Sequence, residues 1–504
     1  MLPPPPTPIK PSRFLPSPWG RRSPALRRIG RRLRPDHLAR RIDRLVDRLD
    51  LRPLRDAYAG TGSRPYHPRL LLKVALYETQ SGHHSPALWC RHARESEPVR
   101  WLARGAEPAR SRWYAFRDRL GKALDDLNRQ VLALALDRRL TDARQAALDG
   151  SFVAANASRH RLLRADVVRQ RLLQLEQACA ADAAGPAPAR PGWMAPTAGG
   201  RRRQRHRYRQ ALECLRQRQQ QRQRQRGCDR HAAQPLRLNP ADPEAVPGRD
   251  KEKVYRPLFD VQLLRDLDSP LILAYDVFAR ASDAGTLGPM LQRARQLLGR
   301  LPPVWLCDAT YASGPDLRQA EEAGVTLYAP PPRPAGAACR RRPPAWLPKE
   351  AFDWLAREQV YRCPRGQRLE RVRVRAQQRA QQERVQVQEY RCAAEHCRGC
   401  PLAVWCTPRP DRGRTINRSA HEDRFERLRQ RMATPQAEAL YRRRGQTVEL
   451  SFADAKGHRQ LRRFSGRGLM RARVQVGLVV LAHNGLVVLR ASEAEPAAPQ
   501  TQAS

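Results

Sequence analysis

At 504 residues the chain is long enough for about two to four domains, each with its own core. Its 95 Lys and Arg against 49 Asp and Glu give a formal charge of +46, and with no basic amphipathic helix or lipid anchor to suit an anionic membrane, the expected partner is nucleic acid. A Pro- and Arg-rich N-terminus without an apolar segment argues against secretion and predicts a cytoplasmic protein, whose 11 cysteines are reduced, metal-bound or buried.

Residues 1–35 mix Pro with Arg and are expected to be disordered. A helical, DNA-binding N-terminal domain is expected over 36–140. Leu38, Ile42, Leu45, Val46 and Leu49 recur at helical spacing. A buried helix is predicted over 69–79, started by Pro68, and further helices over 85–104 and 111–136. Residues 144–153 read as a strand running into Asp149-Gly150. From 159 to 253 the chain turns to Arg, Gln and Ala, with a Pro- and Gly-rich break at 185–200. The pieces 161–181 and 201–226 have helical composition, but the second reads as polar all round. This stretch is expected to be a linker or insertion that is disordered or binds phosphate without specificity.

Order returns at 254–330. Leu258–Leu264 and Leu271–Phe278 read as two strands joined through Asp266-Leu-Asp-Ser-Pro270. A helix is predicted over 283–298 with Ser282 or Asp283 as its cap. Val304-Trp-Leu-Cys-Asp308 is a short buried strand, 313–323 a helix closed by Gly324, and 325–329 a strand stopped by prolines. Residues 331–430 form a Cys-rich insertion. Cys397-x-x-Cys400, with Cys363, Cys392 and Cys406 around it, can supply four thiolates to a structural Zn²⁺. The apolar run 474–489 falls short of the ~20 residues needed to span a bilayer and carries Gln475, His483 and Asn484, so it reads as a buried core helix. His483 and Asn484 read as hydrogen-bonding core residues. The tail 491–504 is expected to be disordered.

The stretch 441–456 organises the rest. It reads as a helix entered by a basic turn, with Val448, Phe452 and Ala455 as its apolar stripe and Glu449 and Lys456 on one face. A Glu and a Lys so spaced are common on surface helices. They gain meaning from Asp149 and Asp308, each at the polar end of a short apolar strand. Two strand-end aspartates and one helix glutamate can hold two divalent metal ions. With the segments 141–158, 254–330 and 431–490 as one core, the element order is that of a ribonuclease-H-like mixed sheet. The fold class is thus α/β, preceded by the helical domain and interrupted by the cysteine insertion.

These residues resemble a DDE transposase of a bacterial insertion sequence, most similar to the eleven-eighty-two group. Tyr66-His-Pro-Arg-Leu-Leu-Leu, Val99-Arg-Trp-Leu102 and Phe116-Arg117 resemble its helical N-terminal domain. Leu148-Asp-Gly-Ser-Phe-Val-Ala-Ala-Asn-Ala-Ser158 and Cys307-Asp-Ala-Thr-Tyr-Ala-Ser313 resemble its two aspartate segments. Tyr441-Arg-Arg-Arg444, Val448-Glu449, Phe452 and Lys456 resemble its tyrosine–arginine–glutamate–lysine signature, with Ala453 where the family carries glycine. The resemblance implies that Asp149, Asp308 and Glu449 are catalytic and hold Mg²⁺ or Mn²⁺. It implies that Tyr441, Arg444 and Lys456 position DNA phosphates, and that the reaction is cleavage at the element's ends followed by strand transfer into target DNA. It further implies a homodimer on DNA, with the protein at the nucleoid when bound. Two other readings carry the same charge: a noncatalytic DNA-binding descendant of a transposase, and an Arg-rich protein that coats RNA or DNA. The coating reading, supported mainly by the run 201–226, predicts binding that survives deletion of 257–456.

Overall fold

Buried aliphatic residues at helical spacing build the N-terminal region. The helix Leu38–Asp47 buries Ala39, Ile42, Leu45 and Val46 and starts at His37, whose Nδ1 accepts the Ala39 N–H at 3.1 Å. The helix Pro68–Gln80 is buried on nearly every side. It even takes in Lys73, whose ammonium lies 2.5 Å from Asp43 and 2.8 Å from Asp47. Two stretches expected to be single helices are each broken. Residues 85–104 form Pro86–Glu95 and Glu97–Leu102, separated by extended Ser96. Pro98 has no N–H to give and so sits in the first turn of the second piece. Residues 111–136 form Arg110–Leu120 and Leu124–Asp137, broken at Gly121.

The computed structural model describes residues 14–20, 22–58, 63–184, 190–224, 235–331, 347–378 and 384–494. They divide into two compact units, one of residues 1–216, 235–306 and 442–504, the other of residues 217–234 and 307–441. The expectation of disorder across 1–35 needs correction where the chain is described. Residues Pro24–Arg32 are helical with Ile29 buried, and Arg40 donates to the carbonyls of Gly30 and Leu33. Residues 1–13 lie outside the described residues, as do 495–504 of the expected C-terminal tail; 491–494 continue the last helix.

In the first unit the strand Gln145–Ala154 runs antiparallel to Tyr255–Asp266 and parallel to Val304–Leu306. Tyr255–Asp266 in turn pairs antiparallel with Ile272–Phe278 and with Val246–Arg249. This is a mixed sheet of the expected kind, with the predicted hairpin closed by Asp266 N–H donating to Leu271 O at 3.0 Å. The helix predicted over 283–298 begins later, at Leu287, with Thr286 at its cap. Gly285, at φ +77°, takes a left-handed conformation that a helix cannot contain, and this frees Asp283 for another contact.

The Arg- and Gln-rich stretch 159–253 is ordered where described. Helices Ala165–Ala184 and Ala198–Arg224 share a small core of Val168, Leu172, Leu175, Tyr208, Ala211 and Leu215. The reading of the second helix as polar all round was therefore incorrect. Residues 208, 211 and 215 form a narrow apolar stripe within a strongly polar composition.

Among the described residues one helix, Leu469–Glu493, is long and apolar enough to cross a membrane by length and composition, and most of it is buried. Gly477 lies against Leu124 and Tyr275, and Gly485 against Leu45, so the N-terminal helices and the sheet cover it. Asn484 accepts the Ile272 N–H at 2.9 Å and donates to the Ile272 carbonyl at 2.8 Å, and His483 Nε2 meets Pro270 O at 2.7 Å. Both residues thus hold the hairpin, in the core role that the sequence suggested.

The second unit differs in extent from the predicted insertion at 331–430: residues 307–330 group with it. It holds the helix Gly314–Glu322 and the strand Thr326–Tyr328. It also holds a five-stranded antiparallel sheet of Asp353–Leu355, Val360–Arg362, Arg368–Gln378, Arg384–Cys392 and Thr415–Ser419, each strand beside the next. Its core contains Phe352, Tyr361, Leu369, Tyr390 and Ile416. The Arg418 guanidinium lies 4.1 Å from the Trp354 ring centre.

Candidate active site

Alternation along the strand Gln145–Ala154 sends Asp149 to one face and Gly150 to the other. On the Asp149 face lie Ser151 and the residues paired with them, Leu263 and Val261, followed by Arg265. The helix Val448–Gly457 packs on this strand. Lys456 Nζ donates to Ser151 Oγ at 2.6 Å and to Phe152 O at 3.0 Å. Arg265 donates to Thr447 O and, at 3.3 Å, to Ser451 Oγ. Burial holds the Lys456 ammonium below the usual lysine pKa.

The turn ahead of this helix brings Arg444 to Asp149. Arg444 Nη2 lies 2.8 Å from Asp149 Oδ1, and the two side chains are 12% and 13% exposed. Thr447 Oγ1 donates to the carbonyls of Arg443 and Arg444, 3.0 Å each, and closes the turn. Arg443 fixes it to the sheet through Gln145 Oε1 at 3.2 Å, Leu267 O at 3.0 Å and Asp268 Oδ1 at 2.7 Å. Sequence reasoning singled out Arg444 but not Arg443; adjacent arginines in a basic turn look alike until the sheet is placed. Glu449 is exposed on the first turn of the helix.

Asp308 and Tyr441 belong to the second unit. Asp308 caps the short turn Ala309–Tyr311, its Oδ1 accepting the Thr310 N–H at 2.7 Å. It follows Leu306, the last residue of a strand that pairs in parallel with the strand of Asp149, Leu306 opposite Ala147. Tyr441, half-buried, lies in the helix Pro435–Arg442.

On the opposite face of the Asp149 strand is a buried cluster that sequence reasoning missed. Gln262 Nε2 donates to Asp260 at 2.9 and 3.0 Å and to Asp283 Oδ1 at 2.7 Å. Asp260 is fully buried. Burial, reinforced by the charge of Asp283, pushes its carboxyl up to about 8. A Cβ on Gly150 would sit 1.9 Å from Asp283 Oδ1 and 2.3 Å from Gln262 Nε2, so glycine is the residue that fits after Asp149. Asp283 was read as a helix cap, which hid its part in this cluster.

An open cavity of about 490 Å³ continues from the end of the same strand, lined by Asn156, Arg159, Arg161, Arg256, Arg463 and Arg467 among others. Arg463 and Arg467 donate to the carbonyls of Ala157 and Asn156. No spacing pattern distinguishes these arginines from the many others in the chain.

Of the predicted zinc ligands, Cys392 and Cys397 are buried in the core of the second unit, and Cys363 and Cys406 pack against it. Cys400 is half-buried. Burial, and then neighbouring Cys397, push the Cys392 thiol up to about 12. Among the described residues, the group of three or more His, Cys, Asp or Glu side chains whose ligand atoms lie within 4.8 Å of one another is Glu78, His83 and His92; it contains none of the cysteines or predicted catalytic carboxylates.

Two family models match the chain. Residues 362–488 match a transposase DDE domain, and residues 27–119 match a transposase domain, DUF772. The first match contains Glu449, Arg444 and the cysteines; the second covers most of the N-terminal helices. Together they support a DDE transposase of insertion-sequence type. No curated protein and no solved structure matches.

Proposed function

We propose that this chain is an active transposase of the eleven-eighty-two type, cutting DNA at the ends of its element and joining the freed ends to target DNA. The observation that carries the reading is the ion pair between Arg444 and Asp149, which ties the signature's basic turn to the first-aspartate strand. Asp149, Asp308 and Glu449 supply hard oxygen ligands, which suit Mg²⁺ or Mn²⁺. Asp149 already faces a cation, the Arg444 guanidinium, so the position accepts positive charge. Held by these carboxylates, such ions would supply activation of the attacking oxygen and charge stabilisation of the leaving one.

The chain's own groups orient the DNA. Arg444 offers a bidentate fork to a phosphate and Lys456 a point charge, while Tyr441 donates from its hydroxyl. The arginine-lined cavity beyond Ala154 supports a path for the phosphodiester backbone. The N-terminal helices are the natural readers of base edges, because a helix fits the major groove. Cleavage of paired ends favours a homodimer on DNA. In the second unit, four of Cys363, Cys392, Cys397, Cys400 and Cys406 hold a structural Zn²⁺; zinc content should fall by one equivalent in Cys397→Ser.

The test is Mg²⁺- or Mn²⁺-dependent cleavage of DNA carrying the element's ends, comparing wild type with Asp308→Asn. End cleavage by wild type, lost in the variant with binding retained, supports the reading. Binding by both proteins with no metal-dependent cleavage by either would favour the noncatalytic descendant instead.

A further inference from the structure

The N-terminal helices carry a cluster that the proposed active site does not use. Glu78 lies in the last turn of the helix Pro68–Gln80, its side chain 1% exposed. Gly82, at φ +82°, reverses the chain, and the His83 N–H reaches back to Glu78 O at 2.8 Å. This puts the His83 ring beside the Glu78 carboxylate. His92 arrives from the helix Pro86–Glu95. Both imidazoles address the same oxygen: His92 Nδ1 is 2.8 Å and His83 Nδ1 3.2 Å from Glu78 Oε2. The rings meet edge-on at 71°, their centres 4.9 Å apart. The His83 Nδ1 is buried and, despite this 3.2 Å approach, is without a hydrogen-bond partner among the described residues.

We propose that Glu78, His83 and His92 bind one divalent transition-metal ion of the zinc class. Two imidazoles and a carboxylate form a borderline donor set that suits such ions, whereas Mg²⁺ prefers oxygen alone. Ligand bonds of about 2.0–2.1 Å in tetrahedral geometry place ligand atoms about 3.3 Å apart. The two nitrogen–oxygen separations, 2.8 and 3.2 Å, are near that spacing. The buried Nδ1 of His83, 3.2 Å from Glu78 Oε2, is one of the three candidate ligand atoms, all within 4.8 Å of one another. His83 is 43% exposed at its side chain, but its Nδ1 is buried beside Glu78.

The site would act as a cross-link. Its turn is already clamped to the segment after the glutamate helix: His84 Nε2 meets Arg459 O at 2.6 Å, and Ser465 Oγ donates to His84 O at 2.9 Å. A metal fixing residues 78, 83 and 92 would hold this turn firm beneath residues 459–465.

The test uses the full-length protein carrying Asp149→Asn, stripped of metal and titrated with Co²⁺. That background removes a proposed active-site ligand, so the outcome does not depend on the transposase reading. Thiolate ligation gives intense near-ultraviolet charge-transfer absorption, whereas a nitrogen–oxygen site gives visible d–d bands without it. One equivalent of the second kind is expected, intact in Cys397→Ser and weakened about 100-fold or more in His92→Ala. His83→Ala, at the more exposed ligand, repeats the test should His92→Ala fail to fold by circular dichroism. Identical visible bands and stoichiometry in parent and folded histidine variants, or no such bands in the folded parent, would overturn the proposal.

Discussion

At the scale of single residues, the contacts around Asp149 set the demands on sequence. Arg444 and Asp149 are both mostly buried, so removing the cation leaves a carboxylate short of compensation. Arg444→Ala should destabilise the fold by roughly 3 kcal/mol, and Arg444→Lys by less, read from urea midpoints. Asp149→Asn in the Arg444→Ala background should recover part of the loss; full additivity of the two substitutions would show that the pair does not interact. Behind the strand, Gly150→Ala forces a methyl into Asp283 and Gln262 and should cost about 1–3 kcal/mol. Gly445→Ala, with open space around its Cβ position, is the control and should be near neutral.

Asp260 adds a pH dependence. Its carboxyl is raised to about 8 in the fold, above the ordinary value near 3.8. Between those values the unfolded chain has released the proton and the folded chain has kept it, so the unfolded state gains as pH rises. The stabilising contribution is complete below about 4 and is lost on the way to about 8. Asp260→Asn should flatten this part of the stability profile; an unchanged slope would mean that the buried pair does not titrate as described.

At the scale of elements, what was legible followed from pattern strength. The strand that holds Asp149 and the strand just ahead of Asp308 could be found because a short apolar run precedes each aspartate, although the first strand continues past Asp149 to Ala154. The hairpin was marked by Asp266 to Pro270, and Asn484 stood out as a polar residue in an apolar helix. Asn484→Ala removes two hydrogen bonds to the Ile272 backbone and should cost about 1–3 kcal/mol in thermal or denaturant unfolding. Breaks and starts of helices were less legible. Ser96, Gly121 and Gly285 each interrupt a run whose apolar periodicity continues past them. The core of helices Ala165–Ala184 and Ala198–Arg224 was hidden because its apolar stripe is narrow among arginines and glutamines. The Asp260–Gln262–Asp283 cluster was hidden for another reason: Asp260 and Gln262 share one face of a strand, but Asp283 reaches them from beyond the next strand, 21 residues after Gln262, and leaves no spacing signal.

At the scale of the whole molecule, the charge of +46 favours a polyanionic partner. Binding to DNA should weaken steeply with salt; contact with about six to ten phosphates lowers affinity about 10³- to 10⁵-fold between 50 and 200 mM. A preference for the element's ends that persists at the higher salt would separate recognition from coating, because coating weakens alike on all sequences. The three proposed catalytic carboxylates were expected at two strand ends and on a helix; Asp149 instead lies within the strand Gln145–Ala154, because pairing with Tyr255–Asp266 continues past it, and Asp308 lies two residues beyond Leu306. Their joint role rests on chemistry rather than on any single contact.

The measurement that tests that role most directly compares end cleavage by Asp149→Asn, Asp308→Asn, Glu449→Gln and the Asp149→Asn/Glu449→Gln double variant. All should bind the ends and retain the fold. Each single variant should lose cleavage by about 10³-fold or more, and the double variant should be little worse, as groups that act as one unit require. Cleavage retained by any one of the three single variants would remove that carboxylate from the site and contradict the account.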